Sequence, residues 1–414
     1  MASAFLKYGT ILALAVAVFY QLTLKNLIFT IIGVGRHVQP ISDFPYQCRR
    51  IHDERLQACE DMWLSEETRQ LFLACSDPLA RQQWDFSFSR FNISGRSRTD
   101  AVIALDIDKP KGDSFDYRVL KTPSYKTGDG HLYLVGLTGR DNIPAANDPN
   151  KPPFSIDIAL VNGRPPRDSQ TGEFLDASEL GGDFTIELFE TDAHATELRH
   201  KETYHHPEIK TPNNVAFAPT NGFYITNDHG TAKAGLKFTL APFLHNGDVT
   251  YCTHTNTCKT VSTSHAFPNG LHFSPRHGHL FVPSAHSGGI TIYAPNAHTN
   301  DLQKISSIDI PYPIDNLSED RDGDIWVPAF PKGLEMLQAY ADPLGSTAAT
   351  TVFRVRKSKE EGDGKGWEVE KMLEDRHGEV LPGATSVVHD ARTGRVFLAG
   401  VVAPFVTVCE PVGK

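Results

Sequence analysis

The sequence predicts an all-β fold, a six-bladed β-propeller with a central calcium-binding channel, preceded by an N-terminal apolar anchor helix. Three observations predict it. First, the 32 Gly and 27 Pro suit many turns and speak against a helical bundle. Second, one unit, a tight turn followed by a short apolar strand, recurs six times along the chain. Third, four of these units carry an acid or amide at the same place. The innermost strands of a propeller line a central channel, so matched residues of different blades converge there.

Pro313-Ile314-Asp315-Asn316-Leu317 before Ile325-Trp326-Val327 shows the unit most plainly. It recurs as Cys59-Glu60-Asp61-Met62 before Leu71-Phe72-Leu73, and as Pro212-Asn213-Asn214-Val215 before Phe223-Tyr224-Ile225. Pro268-Asn269-Gly270-Leu271 precedes Leu280-Phe281-Val282, and Ala384-Thr385-Ser386-Val387 precedes Val396-Phe397-Leu398. The sixth unit is placed around Lys121, before Leu132-Tyr133-Leu134, without acid or amide.

Residues 1–36 are expected to be a signal-anchor or transmembrane segment. The apolar run of residues 10–20 follows Lys7, and a second run extends from Leu27 to Val34. The first run is shorter than the roughly 20 residues of a spanning helix, which suits a secretory signal or an uncleaved signal-anchor. Either implies the secretory pathway, with the protein membrane-anchored in the ER lumen or at the cell surface, or secreted. Residues 37–414 are expected to form the propeller, interrupted by a Pro/Gly/Asp-rich insertion loop over about 140–182. Glu360 to Gly366 reads as a solvated charged loop.

The formal charge of −10, without a basic stripe, excludes a nucleic-acid partner. Six cysteines form an even set suited to an oxidising compartment. Cys252 and Cys258 flank a short polar stretch that suits a bridge across a hairpin. Cys48 and Cys409 stand at opposite ends of the folded region, where a bridge would close a ring, which leaves Cys59 with Cys75. Six buried free thiols are the alternative. Asn92-Ile93-Ser94 is a glycosylation sequon consistent with export.

Glu60, Asp61, Asn213, Asn214, Asn269, Asp315 and Asn316 make an all-oxygen donor set. Calcium takes about six to eight such oxygens, whereas zinc and copper want His and Cys sets that are not apparent here. Asp320 to Asp324 is a β-turn and not an EF-hand: Ser318 stands where the first Asp belongs and Ala329 where the bidentate Glu belongs. A single Asn is commonly a turn residue; the matched positions taken together favour a metal. Neither a Gly-x-Ser-x-Gly elbow nor a phosphate loop is found.

Through Val38-Gln39-Pro40, Cys48, Glu60-Asp61, the run Phe223 to His229, Asn269-Gly270, Asp315-Asn316 and Val408-Cys409-Glu410, the chain resembles the serum paraoxonase/arylesterase family. These are six-bladed propellers acting as calcium-dependent lactonases and esterases. The resemblance implies two calcium ions. Glu60, Asn213, Asn269, Asp315 and Asn316 match ligands of the catalytic ion, and Asp61 and Asn214 match ligands of a buried structural ion. It further implies a small hydrophobic lactone or ester substrate, a Cys48–Cys409 bridge, and retention of the N-terminal segment as an anchor. Asp315 is the candidate base or nucleophile, or a ligand only; His229, beside Asp228, is the candidate base, with His131 behind it. The chain departs from the family in lacking its dyad histidines near Tyr117 to Ser124 and Gly136 to Arg140, in having Phe330 for a pocket histidine, and in having Asn214 for an aspartate. These departures keep open a non-catalytic calcium propeller that binds a small hydrophobic ligand or a protein. Oligomeric state is not indicated.

Overall fold

The computed structural model describes residues 2–144, 154–358, 366–381 and 383–413 and contains six four-stranded sheets arranged as blades. Consecutive strands pair antiparallel within each blade. The innermost strands are Asp61–Ser65, Leu134–Asn142, Pro212–Phe217, His272–Ser274, Ser318–Glu319 and Ser386–Asp390, from blade one to blade six. Each touches the next and the last touches the first, so the ring is closed. This is the predicted six-bladed propeller.

Both faces of a blade pack against neighbouring blades, which is why the second strands are continuous apolar runs and not alternating ones. Gln70–Cys75 is buried at every position. Leu71, Leu73 and Ile103 of blade one share a core with Phe397, Val406 and Val408 of blade six. Trp326 of blade five is fully buried against Val387 and Leu398 of blade six. Burial of such side chains contributes about 1.5–3 kcal/mol each.

Blade six joins the two ends of the chain. Tyr46–Ile51 is its outermost strand and pairs with Val406–Pro411, setting Cys48 opposite Cys409. A disulfide links them, and Cys59–Cys75 and Cys252–Cys258 complete the set with no free cysteine.

Blade two differs from the sequence expectation. Residues 140–182 are not one long loop: Ser155–Arg164 is the blade's second strand, between Leu134–Asn142 and Asp183–Thr191. Its apolar residues Ile156, Ile158, Ala159, Leu160 and Val161 were concealed by Asp157 and by the turn-forming residues on either side. Residues 145–153 lie outside the described residues, as does most of the charged loop from Glu360. The innermost strand starts at Leu134, so the place matching Asp61 and Asn214 is Val135–Gly136. Lys121 instead bridges to Glu197 at the blade's outer side.

Residues Ala2–Phe19 are helical and continue into π-helical turns at Tyr20–Leu24 and Asn26–Ile32. Among the described residues no helix is long and apolar enough to cross a membrane. Gln21, Lys25 and Asn26 separate the apolar run of residues 10–20 from the second run, so the two do not add up to one long apolar helix. The second apolar run docks on the propeller. The Asn26 side chain donates to the His286 carbonyl at 2.9 Å. The Arg36 guanidinium donates to the carbonyls of Pro311 and Pro331 and lies over the Tyr312 ring at 3.9 Å.

Candidate active site

Six strand starts meet at one place in the channel, and all seven predicted oxygen-bearing residues are buried there. They form two connected groups. In the first, the Asn214 side-chain nitrogen donates to Asp61 Oδ2 at 2.8 Å and to Asn316 Oδ1 at 2.9 Å. Leu137 N also donates to Asp61 Oδ2 at 2.9 Å, while Asp61 Oδ1 accepts from Met62 N at 2.8 Å and Ser386 Oγ at 3.4 Å. Asn316 Nδ2 donates to the Glu60 carbonyl at 3.1 Å. Blades two and four contribute backbone, at Gly136 and Gly270, where the others contribute side chains. A Cβ on Gly136 would stand 2.5 Å from Asn214 Oδ1, so no side chain fits there.

The second group is Glu60, Asn213, Asn269 and Asp315, which lie on the wall of a cavity of about 400 Å³. Asn269 Oδ1 accepts from Gly270 N at 2.8 Å. Asp315 Oδ1 is buried with no hydrogen-bond partner. Burial, then the neighbouring charges of Asp61 and Asp85, hold the Asp315 carboxyl well above the usual carboxylate range. Burial and Asp315 do the same to Glu60, and burial pushes Asp61 up to about 6. An orphaned oxygen among repelling buried carboxylates and amides fits a hard cation such as calcium. Among the described residues no group of three or more His, Cys, Asp or Glu could hold a metal alone, so the set depends on its amide oxygens.

The Asp61, Asn214 and Asn316 group fits an ion less well, because both oxygens of Asp61 already accept hydrogen bonds. The Asn214 amide donates where a cation would otherwise neutralise Asp61.

Above this floor the cavity is apolar, with Phe88, Phe243, Phe267 and Phe330 among its walls. Leu27 and Ile31 of the N-terminal segment also line it. His286 lines it too, and burial lowers its pKa to about 4, so it is neutral at neutral pH.

His229 is not brought to the cavity. Its Nδ1 pairs with Asp228 Oδ1 at 2.8 Å, its ring stacks on Phe238 at 3.6 Å, and it is 3% exposed. Phe267, 4.9 Å from that ring, lines the cavity while His229 does not. His131 is part-buried, with its backbone N on Asp129, also away from the cavity. Two charged cavity residues escaped the sequence reasoning, Arg81 on the helix Pro78–Gln83 and Asp85 just after it. Burial raises the pKa of Asp85, with Arg81 and Tyr340 opposing. The one available signal was Asp77-Pro78, a helix N-cap that places Arg81 one turn in; Asp77 Oδ1 accepts from Ala80 N at 2.7 Å.

A family model described as Arylesterase matches residues 181–409, more than half of the chain. The chain belongs to the arylesterase family. The arylesterase match includes Asn213, Asn214, Asn269, Asp315 and Asn316, and begins after Glu60 and Asp61. Mouse (Mus musculus) serum paraoxonase/arylesterase 1 is 24% identical over 237 residues, 55% of this chain and 66% of that protein. The rat (Rattus norvegicus) protein of the same name is 25% identical over 238 residues, 55% of this chain and 66% of its own. The matched region thus spans just under two thirds of either relative. Among solved structures, a luciferin-regenerating enzyme is 12% identical with a TM-score of 0.48, covering 89% of this chain and 96% of that one. A gluconolactonase from Xanthomonas campestris is 14% identical with a TM-score of 0.46, covering 90% and 93%.

Proposed function

We propose that this arylesterase-family chain hydrolyses small hydrophobic esters or lactones in a calcium-dependent manner. The observation that carries the proposal is the unpartnered buried Asp315 Oδ1 on the wall of an apolar cavity. Glu60, Asn213, Asn269 and Asp315 would hold one calcium ion; Asn316, matched to them by the family resemblance, has its side chain committed to Asn214 and the Glu60 carbonyl. When bound, calcium supplies a Lewis acid for a carbonyl oxygen. The chain does the rest. Its phenylalanine walls bind the acyl or aryl group and exclude water from the floor. Asn213 and Asn269 orient the polar end of the substrate, and Asp315 is the group that takes a proton from the attacking water. A second ion at Asp61 and Asn214 is not proposed, because Asp61 is already satisfied by hydrogen bonds.

A second reading is a non-catalytic calcium propeller binding a small hydrophobic ligand. It is favoured by the retreat of His229 behind Phe267, which takes the histidine expected as base away from the cavity. Three disulfides suit the secretory pathway, with the protein secreted or membrane-anchored.

The test is hydrolysis of phenyl acetate and a panel of lactones by the full chain, with calcium and then with chelator. Turnover removed by chelator supports the hydrolase. A calcium-dependent rise in melting temperature without turnover of any panel member favours the binding propeller.

A further inference from the structure

Arg81 sits in a place where an arginine is costly unless it is used. It is 5% exposed, and its helix presses it against blade two, where Nη1 donates to the Leu134 carbonyl at 2.5 Å. Its Nε and Nη2 have no hydrogen-bond partner. These two nitrogens share one edge of the planar guanidinium, the fork that matches the two oxygens of a carboxyl group. The nearby carboxylates do not occupy it. Asp85 accepts from Ser87 N at 2.9 Å, and Asp100 accepts from Ser76 Oγ at 2.5 Å and Leu134 N at 3.0 Å. Among the described residues no ion pair within 4.0 Å involves Arg81. Burial opposes its charge, but Asp100, Asp85 and Glu60 outweigh burial and hold the group above its ordinary pKa. It therefore stays a cation, lining the same cavity as Glu60 and Asp315.

We propose that Arg81 is the carboxyl-binding residue of the cavity, its free fork receiving the two oxygens of a bound ester or lactone group and then of the carboxylate product. The ester half of this statement rests on the hydrolase reading; the carboxylate half does not. In the reaction the water oxygen bonds to the acyl carbon, and the carbonyl π pair moves onto the carbonyl oxygen, to which Arg81 donates beside the Lewis acid that bound calcium would supply. Return of that pair breaks the acyl–alkoxy bond. Asp315 takes one water proton and passes it to the alkoxy oxygen, which leaves as the alcohol, or as the hydroxyl end of an opened lactone. The other water hydrogen stays on the acid until it is released to solvent, which leaves the carboxylate paired with the guanidinium. The fork thus stabilises charge where it develops and favours products with a free carboxylate.

The experiment is calorimetric titration of the full chain, in calcium buffer, with octanoate and separately with octanol. The comparison is wild type against Arg81→Gln and Arg81→Lys. Octanoate should bind wild type, lose about tenfold or more in affinity in Arg81→Gln, and lose less in Arg81→Lys. Octanol should bind all three alike, which shows that the cavity is intact. Arg81→Lys keeps the test alive if Arg81→Gln fails to fold, since it removes the fork and keeps the charge. Octanoate affinity that is unchanged by either substitution, or that falls together with octanol affinity, overturns the proposal. Wild-type protein that turns over no ester or lactone sinks the hydrolase reading and leaves the octanoate comparison to decide on Arg81.

Discussion

Asn214 of blade three donates its side-chain amide to Asp61 Oδ2 of blade one at 2.8 Å, inside the channel. The same nitrogen donates to Asn316 Oδ1 of blade five at 2.9 Å, so one amide ties three blades together. A carboxylate buried beside a donor is tolerable; two facing carboxylates are not, unless a cation lies between them.

Asn214→Asp should therefore lower the melting temperature in chelator, by on the order of 2 kcal/mol of stability. Millimolar calcium should restore much of the loss. Scanning calorimetry with and without calcium reads both effects, and a melting temperature indifferent to the substitution would remove the amide from this role.

Asp315→Ala and Asn269→Ala should each cut kcat by about a hundredfold or more if the floor positions a polarised carbonyl. In calcium buffer both should also lower thermal stability, through loss of bound ion. His131→Ala should change neither. Intact activity and calcium content in Asn269→Ala, measured by assay and metal analysis, would refute the calcium-site assignment.

The paired change Cys48→Ala with Cys409→Ala should cost about 2–5 kcal/mol, because it frees a closure spanning 361 residues. Hydrolysis at low temperature should persist, since the bridge lies on the outermost strand of blade six. Urea midpoints and rates on the same preparation check this, and an unchanged midpoint would show that strand pairing alone closes the ring.

Burial lowers the pKa of His265 from 6.5 to about 4. Its neutral ring pairs with Ser262 Oγ at 2.9 Å. A histidine with a lowered folded-state pKa binds its proton more readily in the unfolded chain. Its contribution is present above about pH 6.5 and is lost as pH falls toward about 4. The melting temperature should fall across that window, and His265→Gln should flatten the fall. A variant with the same slope as wild type would assign the pH dependence to other groups.

The local sequence carried a great deal of this. The recurring turn and apolar strand marked the blades, because a strand buried on both faces must be apolar and must end at a turn. Acid and amide residues at the strand starts of four blades pointed to the channel. Blade two was misplaced because Val135-Gly136 has no polar side chain to mark the position, and because the flanking Pro, Gly and Asp concealed Ser155–Arg164. His229 looked available because its sequence neighbours do not show Phe238 stacked over its ring.

By itself, then, the sequence determined the number of blades and the polar residues that start the innermost strands of blades one, three, four and five, since these follow from turn chemistry and short-range patterning. Tertiary structure alone decided which atoms of those residues are satisfied. The orphaned Oδ1 of Asp315, the amide link from Asn214 to Asp61 and the free fork of Arg81 arise only when closure of the ring brings distant segments together and excludes water from between them. Hydrogen-bond partners in that space depend on angles and distances set by six packed blades, which no local pattern encodes.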